Sequence, residues 1–318
     1  MRRQLLILPA ALIGLAGSAV ALTPGPASSV GHEDDDVSLY VSSGGTNSVL
    51  AYDGETGALQ RTFAHCGGLT EPEGIAFGPD GNLYVSSCSE QVLRYDGATG
   101  RFIDVFASGH GLVDPAGIAF GGPDNDLFVA SGLTDDGRGN QILRFDGATG
   151  AFEAVVNSAN KAGLDDPEAM VFGRHGLLYV TSTPERGPGE VLVYNPVNNS
   201  FVKKLVSAAR SHIRDPSGMV FGPHGDLFVS SAATSQVKRY NGTTGAFKGV
   251  FIPAHRGGLN EAEGLAFGPD RHLFVASELG NAVLEYKRTG AFVGKFVASA
   301  SGGLSEPTFI TFGPSPEG

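Results

Sequence analysis

The chain has 318 residues, with 22 Lys and Arg against 33 Asp and Glu, a formal net charge of −11 and a pI near 5.1. That balance argues against nucleic acid or an anionic membrane as partner, because phosphate binding needs concentrated Lys and Arg and no basic stripe occurs. A hydrophobic content of 41% with 47 Gly fits a globular domain of many short strands joined by tight turns, and the lack of Trp removes a side chain often used to stack sugars or bases.

The first elements concern export. Arg2 and Arg3 precede the apolar stretch LLILPAALIGLAGSAV, which ends in Ala19-Val20-Ala21, a small-x-small site suited to signal-peptidase cleavage. Residues 1–21 are therefore expected to be a signal peptide, and the mature protein to be secreted, extracellular or periplasmic. The competing reading is an uncleaved anchor, against which stand the shortness of the run and Pro9 within it. No Cys follows to carry a lipid. Residues 22–36, containing TPGPASSVGHEDDD, read as a solvated acidic linker with nothing to bury.

From Val37 onward one phrase dominates. EPEGIAFGPDGNLYVSS begins at Glu71, and near-copies begin at Asp114, Asp166, Asp215 and Glu261, with a truncated EPTFITFGP at Glu306. The position two after each acidic residue (Glu73, Ala116, Glu168, Ser217, Glu263, Thr308) recurs at steps of 43, 52, 49, 46 and 45. A strand-rich repeat of about 40–50 residues specifies a β-propeller. In each unit GIAF reads as a buried inner strand, GPDGN as a turn, LYVSS as a second strand, QVLRYDG as a third, DGATG as another tight turn and RFIDVF as an outer strand.

Five units are complete, here numbered blades one to five. VSLYVSSGGTNSVLAYDGETGALQRTFA from Val37 supplies a second, third and outer strand without an inner one, and FITFGP from Phe309 is an inner strand without a successor. Pairing the two completes a sixth blade and leaves no open edge at the seam. The fold class expected is all-β: a monomeric six-bladed β-propeller of four-stranded blades over residues 37–314, with 315–318 as a tail.

Repetition also separates scaffold from site, because a residue present in every blade serves something every blade needs. Glu71, Asp114, Asp166, Asp215, Glu261 and Glu306 share one position and are expected to be architectural, their carboxylates accepting backbone N–H groups of an adjoining loop. Ser43, Ser87, Ser131, Ser182, Ser231 and Ser277, which close the second strands, receive the same reading; none has the G-x-S-x-G context of a nucleophile.

The position two after the ring acid behaves differently. Glu73, Glu168 and Glu263 fill it in alternate blades at equal steps of 95, which places three carboxylates about 120° apart at the mouth of the central channel. Converging carboxylates need a cation, protons or water between them, and all-oxygen ligation suits Ca²⁺ or Mg²⁺, so these three are the candidate metal ligands; three solvated Glu lining a wet channel is the alternative. His65, His110, His212 and His255 lie in loops leading to inner strands, and His65 and His255 share the offset of eight residues before Glu73 and Glu263, which makes these two the candidate catalytic proton carriers. His175, His224 and His272 fall in the turns of the opposite face. Cys66 and Cys88 belong to loops of one face and are expected to form a disulfide in an oxidising compartment, with free thiols as the alternative. The longer loops GLTDDGRGNQ and TPERGPGE are expected to rise beside the mouth, and Asn198 and Asn241 begin N-x-[ST] sequons.

The P-x-G-[IL]-A-F-G-P-D-G-x-L-[YF]-V-x-S phrase resembles that of NHL-type six-bladed propellers and the neighbouring streptogramin-lyase-like group, over essentially all of Val37 to Pro314. The resemblance implies the ring and leaves activity open, because related rings carry lyases, lactonases and binding proteins. The streptogramin-lyase-like pattern places His after the repeat Pro and Glu at the end of the second strand; here no blade reads P-H-G, and only Glu278 stands one place beyond such an end. Gluconolactonase-like propellers hold a divalent ion with Glu, Asp and Asn around the axis, which implies a metal here without assigning a catalytic residue. The function expected is a binding module with an acidic site at the channel mouth, taking a small molecule, glycan or protein on the loop-rich face. A metal-dependent hydrolase or lyase is the alternative.

Overall fold

The computed structural model describes residues 37–133, 138–157, 161–173, 175–184 and 187–317. Residues 1–36, expected to be a signal peptide and an acidic linker, lie outside them, as do residues 134–137 and 185–186 of the two long loops. Six four-stranded antiparallel sheets make up the domain. From inner to outer strand, blade one is Pro72–Phe77, Leu83–Ser87, Gln91–Tyr95 and Phe102–Ser108. Blade two is Pro115–Gly121, Asp126–Leu133, Gly139–Phe145 and Phe152–Asn157. Blade three is Pro167–Phe172, Leu178–Ser182, Glu190–Asn195 and Ser200–Val206. Blade four is Met219–Phe221, Asp226–Ser231, Gln236–Asn241 and Phe247–Ile252. Blade five is Ala262–Phe267, Leu273–Ser277, Ala282–Tyr286 and Phe292–Val297. Among the described residues no helix is long and apolar enough to cross a membrane.

The composite sixth blade forms as the sequence predicts. Pro307–Pro314 is its inner strand and pairs antiparallel with Val37–Ser43, which is followed by Ser48–Asp53 and Leu59–Ala64. The residues beyond Pro314 are also held: the Ser315 and Ser38 hydroxyls lie 2.9 Å apart, and the Glu317 N–H donates to the Ala98 carbonyl at 2.9 Å. In blade two the second strand continues past Ser131 to Leu133, paired with Gly139, so part of the expected insertion is a longer hairpin.

Local chemistry fixes each blade. Asp53, Asp96 and Asp146 accept both the N–H and the hydroxyl of the Thr three residues on, and Asn241 accepts the Thr244 N–H; these Asx caps set the turn between third and outer strands. Gly57, Gly100, Gly150 and Gly245 close those turns at φ 69–74°, a region that glycine occupies without the steric cost of a Cβ. The apolar faces then meet between blades. Tyr40 and Phe63 of the sixth blade pack with Leu83, Val85 and Tyr95 of blade one, and Phe228, Val237 and Ile252 of blade four pack with Leu273 and Tyr286 of blade five.

The inner strands approach at a neck made by the glycine of P-x-G. A Cβ on Gly74 would lie 2.4 Å from the Ala116 carbonyl oxygen, one on Gly117 2.4 Å from that of Glu168, one on Gly218 2.2 Å from that of Glu263, and one on Gly264 2.6 Å from that of Thr308. Second-strand hydroxyls bind across the same neck: Ser42 donates to the Glu73 carbonyl at 2.6 Å and Ser86 to the Ala116 carbonyl at 2.7 Å.

The serines closing the second strands are architectural, as expected. Each is fully buried, and each bridges both main-chain groups of the residue before a ring acid: Ser43 to Ser305, Ser87 to Thr70, Ser131 to Val113, Ser182 to Asp165, Ser231 to Arg214 and Ser277 to Asn260, at 2.7–3.0 Å. Deleting residues 306–318 removes the inner strand of the sixth blade and exposes the edge of Val37–Ser43. The melting temperature is expected to fall by at least about 10 °C, with aggregation on heating. An unchanged thermal unfolding curve would contradict this closure.

Candidate functional site

The neck brings together the positions two after the ring acids: Glu73, Ala116, Glu168, Ser217, Glu263 and Thr308. Glu73 and Glu168 are partly exposed, and Glu263 is 8% exposed. The three are brought together electrostatically: Glu168 feels Glu73 and Glu263, and Glu263 feels Glu73. Burial is the larger cause and like charge the second, and together they push Glu73 up to about 8 and hold Glu168 and Glu263 well above the ordinary carboxylate range.

Around this centre stands the ring of six acids, each in the left-handed region with φ between 40° and 57°. Such a conformation is costly for a residue with a Cβ and persists where neighbours impose it. The serine clamps hold the preceding residue. From the adjacent blade, Asn47 Oδ1 accepts the N–H of Glu71 at 2.7 Å, Asn140 Oδ1 that of Asp166 at 3.1 Å, Ser235 Oγ that of Glu261 at 2.9 Å, and Asn281 Oδ1 that of Glu306 at 2.7 Å. The locking expected of the carboxylates is thus performed by main-chain groups and by Ser and Asn side chains. The carboxylates act on the centre instead: Asp114, Asp166 and Glu71 raise Glu73, Asp166 and Asp215 raise Glu168, and Asp215 raises Glu263.

Blade five carries the tightest grouping on this face. Carboxylate oxygens of Glu261, Glu263 and Glu278 lie within 4.8 Å of one another. Glu278 occupies the position after the second-strand serine, where the other blades have Gly44, Cys88, Gly132, Thr183 and Ala232. Its N–H donates to the Glu261 carbonyl at 3.0 Å, which fixes the two main chains side by side. Burial, then Glu261, Glu306 and Asp215, raise the Glu278 pKa. The Ser217 hydroxyl of blade four hydrogen-bonds to Glu263. This donor set is all oxygen and spaced for a hard cation such as Ca²⁺ or Mg²⁺, and a cation would offset the burial and like charge that raise Glu263 and Glu278. The sequence singled out Glu263 and noted Glu278. It gave no sign that Glu261, present in every blade as an acid, joins them.

The other candidate residues lie elsewhere. His65, His110, His212 and His255 are exposed. His110 stacks on Phe152 of the blade-two outer strand at 4.2 Å, and His212 lies 4.7 Å from Phe247 of the blade-four outer strand. The residues following His65 and His255 are pinned by third-strand tyrosines: Tyr95 donates to the Cys66 carbonyl at 2.6 Å and Tyr286 to the Arg256 carbonyl at 2.7 Å. These loops therefore begin at the perimeter, away from the neck. The expected Cys66–Cys88 disulfide is not formed: both are free thiols. The reason is the same, since Cys66 sits at the perimeter whereas Cys88 Sγ points to the Glu71 carbonyl at 3.4 Å and to Asp114 Oδ1 at 3.7 Å. Burial, then Glu73, Asp114 and Glu71, keep the Cys88 thiol protonated. On the opposite face His272 Nδ1 lies 2.5 Å from Glu285 and 2.8 Å from Asp270, and Arg144 is ion-paired with Asp126 and Glu153.

Comparison with known proteins places the architecture. Residues 60–95 match the family described as strictosidine synthase-like, N-terminal, a stretch shorter than one repeat. No curated protein matches the chain. Among solved structures, a chain from the crystal structure of a nidogen/laminin complex superposes with a TM-score of 0.71 at 16% identity, covering 88% of this chain and 99% of that one. A protein of unknown function from Bacteroides caccae gives 0.63 at 15% identity, covering 87% and 98%. A gluconolactonase from Xanthomonas campestris gives 0.55 at 19% identity, covering 71% and 76%. At such identities the likeness is one of fold, and the chain is a six-bladed β-propeller of the kind its repeat phrase resembles.

Proposed function

We propose that the chain is an exported binding module whose acidic mouth takes a divalent cation, Ca²⁺ or Mg²⁺, and through it a protein, glycan or small-molecule partner on the loop-rich face. The observation that carries this reading is the position of Glu263, which belongs both to the three alternating glutamates of the neck and to the close carboxylate group with Glu261 and Glu278. The charges acting most strongly on the three neck glutamates are all carboxylates, which favours a cation there. The protein-binding part is supported by the fold likeness to a chain of the nidogen/laminin complex.

The cation-free protein has a defined pH dependence. Glu73 is raised from 4.5 to about 8, so its contribution to stability is fully present below pH 4.5 and is lost as pH rises through about 8. Calcium must displace protons from these carboxyls, so its effect grows with pH. Millimolar CaCl₂ is expected to raise the melting temperature by about 5 °C at pH 8.5 and by much less at pH 6. Glu263→Gln should abolish the shift. An equal shift in the variant, or a larger one at pH 6, would overturn the reading.

A second reading, a metal-dependent hydrolase or lyase acting on a small molecule, is favoured by one feature: Glu73, near 8, carries a proton at neutral pH and can exchange it there. The fold likeness to a gluconolactonase points the same way. In this reading the metal ion is held among Glu73, Glu168 and Glu263, with Glu168 and Glu263 as its ligands while Glu73 carries the proton, and His65 and His255 would have to reach inward from the perimeter to carry protons. Lactone turnover that requires calcium and disappears in Glu168→Ala selects this reading; binding without turnover selects the first.

A further inference from the structure

The face opposite the acidic mouth carries a second site of opposite character, and the repeat supplies its internal control. In blade one the underside is neutralised. Arg94 binds Asp104 at 2.6 Å and lies 3.6 Å from Asp80, and the Tyr84 hydroxyl donates to Asp80 at 3.0 Å. One arginine thus faces two carboxylates, and the tyrosine hydroxyl fills the space between the blades.

Blade four replaces each of these groups. His224 stands where Asp80 does, Gly249 where Asp104 does, and Phe228 where Tyr84 does. The carboxylate gained, Asp226, is shared by Arg239 and by Lys248, whose Nζ lies at 2.6 Å. From blade five a further cation arrives. In blades one, two, four and six the turn before the outer strand is closed by a glycine N–H bonded to the Asp or Asn carbonyl four residues back. In blade five the turn is one residue shorter, closed from Gly290 to Lys287 at 2.8 Å, and Arg288 replaces the Gly-Ala, Gly-Thr or Gly-Glu pair of those other turns. Arg288 Nη2 lies 3.3 Å from His224 Nε2, across the seam between the blades. Two cationic side chains, Arg239 and Lys248, therefore share one aspartate, and a third, Arg288, stands beside His224 across the seam, in a chain whose net charge is −11.

Arg239, Arg288 and His224, together with Asp226, border an apolar cleft of about 420 Å³. Its walls include Phe228, Phe251 and Phe267, with Phe228 edge-on to the other two at 4.7 and 5.3 Å, and its rim includes His224, Arg239 and Arg288. Loss of the tyrosine hydroxyl makes the wall apolar, and two carboxylates lost against one gained leave Asp226 paired with Arg239 while Arg288 and His224 face each other at the rim. Both changes suit one ligand class, because an aromatic body buries area against phenyl rings while an anionic head meets an arginine fork.

We infer that the blade four–five cleft on the underside binds a small aromatic carboxylate or sulfonate, its ring against Phe228, Phe251 and Phe267 and its anionic group on Arg288 and His224. This site is independent of the acidic mouth. The probe is 8-anilinonaphthalene-1-sulfonate, titrated by fluorescence, with the uncharged N-phenyl-1-naphthylamine as its neutral counterpart. Arg288→Ala and His224→Asp, the latter restoring the blade-one residue, both alter exposed turns; melting curves matching wild type verify that the variants fold. Each is expected to weaken the sulfonate about tenfold while leaving the neutral dye within about twofold. Unchanged sulfonate affinity in the double variant would overturn the inference. So would a parallel loss for both dyes, which would mean that the cations do not read the charge.

Discussion

Everything in this molecule depends on how closely its six inner strands approach. Four glycines leave no room for a Cβ against the carbonyl of the next blade, so the neck is as narrow as backbone contact allows. That closeness brings Glu73, Glu168 and Glu263 within electrostatic reach and removes them from bulk water. Each would be an ordinary surface carboxylate on a wider ring. Here burial and mutual repulsion hold protons on them at pH values where carboxyls are normally ionised. The serine clamps and the Asn47, Asn140, Ser235 and Asn281 bonds serve the same end, since they hold the ring acids in a left-handed conformation around that centre.

The repeat made the architecture readable because each blade states the same pattern of strands and turns, and because the leftover fragments at Val37 and Phe309 are complementary. It also made the alternating glutamates visible. What it hid were contacts between different registers of neighbouring loops. Glu261 looked like one of six equivalent scaffold acids; the main-chain bond that sets it beside the residue after the second-strand serine recurs in other blades, and in blade five that residue is Glu278, whose carboxylate comes within 4.8 Å. The Cys66 and His65 placements were misleading for a geometric reason. Sequence offset treats the loop before an inner strand as one place, whereas the loop begins at the perimeter, where Tyr95 holds it, and ends at the neck.

Conservation of a position across blades reports scaffold need for the main chain more faithfully than for the side chain. The ring acids are the example: their N–H and C=O groups are bound in a repeated manner, while their carboxylates add up to a field. The converse holds on the underside, where Arg94 with Asp80 and Asp104 is the balanced arrangement and the blade four–five seam departs from it at His224, Phe228, Gly249 and Arg288 together. The result is an acidic mouth on one face of the propeller and a cleft bordered by arginine and histidine on the other, two chemistries drawn from one repeat.

The central claim is that the mouth is a cation site rather than a set of protonated or solvated carboxyls. The most direct measurement is anomalous diffraction from crystals of the propeller, residues 37–318, soaked in terbium chloride at pH 8. The account predicts a strong peak bordered by Glu263 with Glu261 and Glu278, or with Glu73 and Glu168. A map with terbium bound at surface carboxylates and no peak at the neck would contradict it.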